Sequence, residues 1–198
     1  VFISWAHSGE NWTEDRARLW ENHVERFAEL LQRAEIGEVF LDLWVANERD
    51  VNWNHWGPNQ IEDADYVLVA MNEPWAQRWS GKNNPKFGAG AAAEANALHG
   101  LFNDDQSKFQ RKVRLVRLPR WPEDQIPLDL SGVKVLTVSE LSSEGIDGVV
   151  RDLKNESRPR LRIPDASVGR EPQPTATSGF RDGDMLLLRF RDLYPGIT

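Results

Sequence analysis

The chain has no cysteine, which excludes disulfides and thiolate metal sites and fits a reducing compartment. It has no apolar run long enough to cross a membrane as a helix, and no membrane partner is expected. No secretory leader is recognisable, so a cytoplasmic location is expected. The chain opens on a strand without an initiator Met, which leads us to expect that residues were removed upstream. An excess of positive charge is also missing: 24 Lys and Arg stand against 31 Asp and Glu. Proteins that grip a nucleic-acid backbone carry a basic footprint, so no nucleic-acid partner is expected. One local basic group exists, made of Lys108, Arg111, Lys112, Arg114, Arg117 and Arg120. It reads either as the solvated flank of a buried strand or as a contact for an acidic surface or a phosphate.

Tyrosine is scarce, with two residues, yet there are nine tryptophans, and Trp44, Trp53 and Trp56 fall within one short polar stretch. Three readings of that stretch stay open. The indoles stack on a flat ligand ring, they form a self-association patch, or they fold back onto the domain.

The 198 residues suffice for one good core and an appendage. Residues 1–4 read as a first strand. A polar turn ends on Thr13, a candidate N-cap, before a helix over 14–33 on which Trp20, Val24, Phe27 and Leu31 recur at three- and four-residue spacing. Glu14 and Asp15 suit its first turn, and Gly37 stops it. Residues 39–41 form a second strand and 43–58 a long connection. A short helix is expected over 59–63, with 50–56 open between loop and helix. Residues 66–71 are apolar throughout, as in a strand covered on both faces. A helical turn over 74–79, a loop, an alanine-rich helix over 88–102, strands over 113–116 and 133–138 and a helix over 146–153 complete the pattern. Five alternations of strand and helix predict an α/β fold. The expected sheet is flavodoxin-like, five-stranded and parallel, of order 2-1-3-4-5, with helices on both faces.

The character changes after residue 157, giving a domain over 1–157. Residues 158–198 read as a Pro-rich linker and C-terminal tail, with an apolar island at 185–190. That island either docks on the domain or begins a further module.

In an open parallel sheet the ligand sits beyond the carboxyl ends of the strands. The residues expected there are Trp5, Ala6 and His7, then Asp42, Leu43 and Trp44, then Asn72 and Glu73. Glu94 stands out because it shares a helical face with Leu98 and Leu101, and a carboxyl on an inward apolar face needs a partner or a use. Gly88 and Gly90, just ahead of it, allow close approach. The plainer reading is a boundary Glu that reaches water or caps a neighbour. His23 reads as a structural histidine, and His55 and His99 as surface residues. No histidine pair has metal-ligand spacing with an acid, so no metal site is expected. Gly88-Ala89-Gly90 lacks the length and the Lys of a phosphate-binding loop, and no nucleophile elbow occurs.

Taken in order, several stretches resemble the SEFIR branch, bacterial type, of the TIR-like (STIR) superfamily. They are Val1-Phe2-Ile3-Ser4-Trp5-Ala6-His7, then Val39-Phe40-Leu41-Asp42-Leu43-Trp44, then Ile61-Glu62-Asp63-Ala64-Asp65-Tyr66-Val67-Leu68-Val69. Asn72-Glu73-Pro74-Trp75 follows, similar to the family's Ser-Pro-x-Tyr, and then Gly88-Ala89-Gly90 before a helix carrying a Glu. The resemblance covers about residues 1–155. Two departures are plain: Trp5 replaces the usual Tyr, and Gly90-Ala91 stands where many TIR enzymes carry Trp-Cys.

The resemblance implies two alternative functions. One is an NAD⁺ glycohydrolase of a defence or signalling protein, activated by assembly, with NAD⁺ as substrate and no further cofactor. Glu94 is then catalytic, Trp5, His7, Asp42 and Trp44 line the substrate pocket, and Trp53 and Trp56 belong to an assembly loop. Self-association is expected to be head-to-tail, giving filaments. The other is a non-catalytic homotypic adaptor domain, in which Glu94 is dispensable. In the enzyme, an ionised Glu94 would stabilise the oxocarbenium-like charge formed as nicotinamide leaves. An open acidic cleft reached by Glu94, Trp5 and Asp42 would favour the enzyme, and a Glu94 paired to a buried Arg the adaptor.

Overall fold

The computed structural model describes residues 1–47, 51–82, 84, 89–121 and 126–156. The linker and tail expected over 158–198, with the island at 185–190, lie outside the described residues, as does Gly88.

The described residues form an α/β domain around a parallel four-stranded sheet. Its strands are β1 (Phe2–Ser4), β2 (Val67–Ala70), β3 (Val113–Arg117) and β4 (Val135–Thr137), in the spatial order β1-β2-β3-β4. Register is set by Ile3 opposite Leu68, Leu68 opposite Arg114 and Val116 opposite Leu136. The strand expected over 39–41 is reduced to a single parallel bridge between Phe40 and Phe2. Phe40 N donates to Val1 O at 2.9 Å and Ile3 N to Phe40 O at 3.0 Å. The chain turns into a helix at Asp42, directly after this bridge, and so leaves the ladder.

The period-two alternation of the strands sorts the core into two clusters. Ile3, Leu68, Ala70, Val116 and Leu136 pack on one face against α1 (Glu14–Arg33) and α7 (Asp147–Leu153). Phe2, Val67, Val69, Val113 and Leu115 pack on the other. That second face is covered by α3 (Trp53–Asp63), α4 (Glu73–Trp79), α5 (Ala89–Asp104) and α6 (Gln106–Lys112). A four-residue helix, α2 (Asp42–Val45), follows the Phe40 bridge.

Helix α1 matches its expected bounds, and Trp20, Val24, Phe27 and Leu31 are all buried. The Thr13 side chain accepts from Arg16 N and caps it. Glu35 at φ 53 and Gly37 at φ 105 turn the chain away afterwards. Helix α3 starts earlier than expected and runs through Gly57-Pro58. Tertiary packing overrides the local breakers: Ile61 is buried, and Trp56 meets Phe2 edge-on at 5.7 Å. Helix α6 was not anticipated. Asp105 caps it by accepting from Lys108 N, and its end runs directly into β3.

Within the basic group, Arg114 donates to Asp152 at 2.6 Å, and Lys112 Nζ donates to the Glu62 carbonyl at 2.7 Å. These two side chains therefore join elements of the fold to one another. Among the described residues, no helix is long and apolar enough to cross a membrane.

Candidate functional site

Beyond the carboxyl ends of β1 and β2 lies a cavity of about 410 Å³, within the size range of small-molecule sites. The loop after β1 supplies His7 and Ser8, α2 supplies Asp42 and Leu43, and Ala46 follows at its C-cap. Trp53, Trp56 and Gly57 come from α3, Arg78 from α4, and Ala91 and Glu94 from α5. A wider depression of about 1020 Å³ lies at the opposite ends of the strands, lined by Val1, Glu62, Asp63, Asp65, Lys108 and Lys112 among others. Its charges are mixed, and Lys112 is already bonded there to Glu62 O. The smaller cavity is the better candidate, because acidic, cationic and aromatic groups converge on it.

Glu94 is 7 % exposed. Its Oε2 accepts from Ser4 Oγ at 2.7 Å, and Ser4 Oγ accepts in turn from Trp75 Nε1 at 3.2 Å. Burial pushes the Glu94 carboxyl up to about 8. The Ser4 hydrogen bond opposes that rise, the nearby Asp42 charge adds to it, and Arg78 opposes it. Burial thus favours the protonated carboxyl at pH 7, whereas the chemistry implied by the resemblance needs it ionised.

Gly57 sits directly against this carboxyl. A Cβ there would lie 2.7 Å from Glu94 Cγ and 3.0 Å from Oε1. The absence of a side chain at 57 is what lets α3 approach α5 with Glu94 between them.

Asp42 is held differently. Its Oδ1 accepts from Trp5 Nε1 at 2.7 Å and from Leu43 N at 2.8 Å. Its Oδ2 accepts from His7 Nε2 at 2.6 Å, and the His7 ring stacks on Trp5 at 4.0 Å. Trp5 is enclosed, 2 % exposed, and does not line the cavity. It anchors Asp42 and backs the His7 ring. Trp44 is 40 % exposed and also lies outside the lining, whereas Trp53, 41 % exposed, and Trp56 form part of the wall. These last two rings meet edge-on at 5.7 Å and stand on a helix. Asn72 lies outside the lining: it caps α4 by accepting from Trp75 N at 2.8 Å and donates to Ala6 O at 3.1 Å.

Of the residues singled out in the sequence, the structure brings His7, Asp42, Trp53, Trp56 and Glu94 to one cavity, with Trp5 behind it. Sequence reasoning missed Ser4, Gly57 and Arg78. Ser4 carried a signal, as a polar residue at the carboxyl end of an apolar strand. Gly57 was masked by Pro58, which made the pair read as a loop. His99, expected at the surface, is packed: its ring stacks on Trp79 at 3.7 Å and its Nε2 bonds to Trp79 O. Among the described residues, no group of three His, Asp or Glu is placed to hold a metal ion.

No protein-family model matches the chain, and no curated protein or solved structure matches it either.

Two outcomes are expected. Gly57→Ala should destabilise the fold by about 1–3 kcal/mol by overpacking against the carboxyl. In the double variant with Glu94→Ala most of that loss should disappear, because the colliding side chain is gone. Additive losses in urea unfolding would show that the two residues do not meet.

The second outcome concerns pH. The Glu94 carboxyl is raised in the folded state from an ordinary value of 4.5. Its contribution to stability is thus fully present below that value and is lost as pH rises towards 8. Relative to the parent, Glu94→Gln should gain of the order of 3 kcal/mol at pH 7 and nothing at pH 4. Parallel stability curves for the two proteins would refute a buried, neutral Glu94.

Proposed function

We propose that the chain is an assembly-activated NAD⁺ glycohydrolase of the TIR/SEFIR type, acting in the cytoplasm in defence or signalling. Its fold is then the flavodoxin-like five-strand order, with residues 39–41 supplying the outermost strand beside β1. The observation that carries this reading is the enclosed Glu94 carboxyl on the wall of a small-molecule-sized cavity, facing two indoles. A flat base stacks well on such rings.

The reaction breaks the bond between nicotinamide and the ribose carbon. The bonding electron pair leaves with the nicotinamide nitrogen, which becomes neutral, and positive charge develops on the ribose. Glu94 as carboxylate stabilises that charge. Water then adds to the ribose carbon and loses a proton, giving ADP-ribose; attack by an adenine nitrogen would give a cyclic product instead. NAD⁺ brings a cationic ring beside Glu94, and a positive charge at close range favours the ionised carboxyl. Binding therefore offsets the burial that favours the neutral group.

The adaptor alternative draws support from one observation: Trp44 stands exposed outside the cavity and is free to meet another surface. Both readings share self-association, and in the enzyme a neighbouring copy would complete the site.

Nicotinamide release from NAD⁺ should be detectable with concentrated protein and a crowding agent, and lost in Glu94→Gln with the fold intact. The profile of kcat/KM, which reports the free enzyme, should rise up to about pH 8, near the raised value of the Glu94 carboxyl. The kcat profile should rise at lower pH, because bound nicotinamide lowers that value. No turnover by an assembled protein would leave the adaptor as the function. Trp44→Ala should cut assembly measured by light scattering, and with it the specific activity at high concentration. Activity independent of protein concentration in both proteins would remove assembly from the account.

A further inference from the structure

Arg78 is the charged group of the cavity that the proposed chemistry leaves unused. It is 7 % exposed and lines the cavity with Glu94. Its Nη2 donates to Ser8 O at 3.1 Å, while Nε and Nη1 are buried without a hydrogen-bond partner among the described residues. A guanidinium presents five N–H donors and cannot shed its charge by ordinary means, so burying it incompletely bonded is unfavourable. Buried cations normally lie against a carboxylate. Here the two carboxyls that line the cavity with it are engaged elsewhere. Glu94 accepts from Ser4, and Asp42 accepts from Trp5, Leu43 and His7. Burial also holds the Arg78 guanidinium below its ordinary value, with only the Glu94 charge acting against this. Among the described residues the cavity thus sets a buried, incompletely bonded cation beside two indoles.

We propose that Arg78 anchors a phosphate group of the ligand; within the NAD⁺ reading, on which this rests, that group is the diphosphate. The pairing of flat aromatic wall and unmet guanidinium fits a nucleotide, which carries both a ring and an anion. Arginine suits the task because its planar fork matches two oxygens of one phosphate, which a lysine ammonium does not. The two unpaired nitrogens are enclosed, so phosphate entry requires the Arg78 side chain to turn towards the cavity, and the contact then forms at low dielectric, where charge pairs are strongest.

The test is calorimetric titration of the full chain with ADP-ribose, nicotinamide riboside and inorganic pyrophosphate, beside Arg78→Lys. ADP-ribose should bind, pyrophosphate should compete with it, and Arg78→Lys should weaken it about tenfold. Nicotinamide riboside, which has no phosphate, should bind both proteins alike. Equal ADP-ribose affinity in parent and variant, or no competition by pyrophosphate, overturns the proposal while leaving the NAD⁺ reading in place. Binding of pyrophosphate that depends on Arg78, without binding of either nucleoside ligand, supports the anion subsite and removes the NAD⁺ reading. Absence of binding by all three ligands overturns the subsite. The competition arm uses the parent protein alone, so the proposal is decided even if the variant does not fold.

Discussion

A carboxyl group enclosed in protein has to be held, and the way Glu94 is held ties the second face of the domain together. Ser4, at the carboxyl end of β1, donates its hydroxyl proton to Glu94 on α5 and accepts from the Trp75 indole on α4. Trp75 is fixed by the Asn72 cap, and Asn72 reaches back to the Ala6 carbonyl in the loop after β1. That same carbonyl accepts from Trp20 on α1, on the other side of the sheet. Gly57 on α3 closes the remaining flank of the carboxyl. Displacing Glu94 would therefore disturb one strand and three further helices.

Two carboxyls 52 residues apart in the chain meet this cavity on different terms. Asp42 accepts from an indole, a backbone amide and an imidazole. Glu94 has one hydroxyl for a partner and lies deeper, where an ionised form is poorly solvated. The Asp42 charge then acts on Glu94 as a like charge and adds to its preference for the proton. One side of the cavity thus carries a carboxyl with three hydrogen-bond donors and the other a carboxyl whose burial favours the proton.

Much of the fold was legible in the sequence because period and capping act locally. Thr13, the spacing of Trp20, Val24, Phe27 and Leu31, and the apolar run before Asn72 each give the right element. Glu94 was legible for the same reason, as a charge on an apolar helical face. What was hidden depended on contacts between distant segments. Residues 39–41 have strand composition, yet the turn into α2 limits them to one bridge. Gly57-Pro58 looks like a helix breaker, yet α3 continues because a small residue is needed against Glu94. Trp5 belongs to a polar mouth by position, but its indole is turned inward onto Asp42. Arg78 looks like one charge among many until its missing partners are seen.

The separation of Glu94 from Arg78 gives the cavity its capacity to respond. Had the two formed a direct ion pair, each would satisfy the other, and the wall would offer a ligand little beyond apolar surface. Such a buried pair is also hard to break, because removing either partner strands the other charge. Instead Glu94 takes its hydrogen bond from Ser4 and rests mostly neutral, and Arg78 is left with two open nitrogens. A ligand that carries a positive centre and a negative group can then supply what each lacks. On the proposed reading, the positive centre would draw the proton off Glu94 and the negative group would pair with Arg78. Each half of such a ligand changes the electrostatic setting of the other, so a molecule bearing both charges at the right separation is recognised over one bearing either alone.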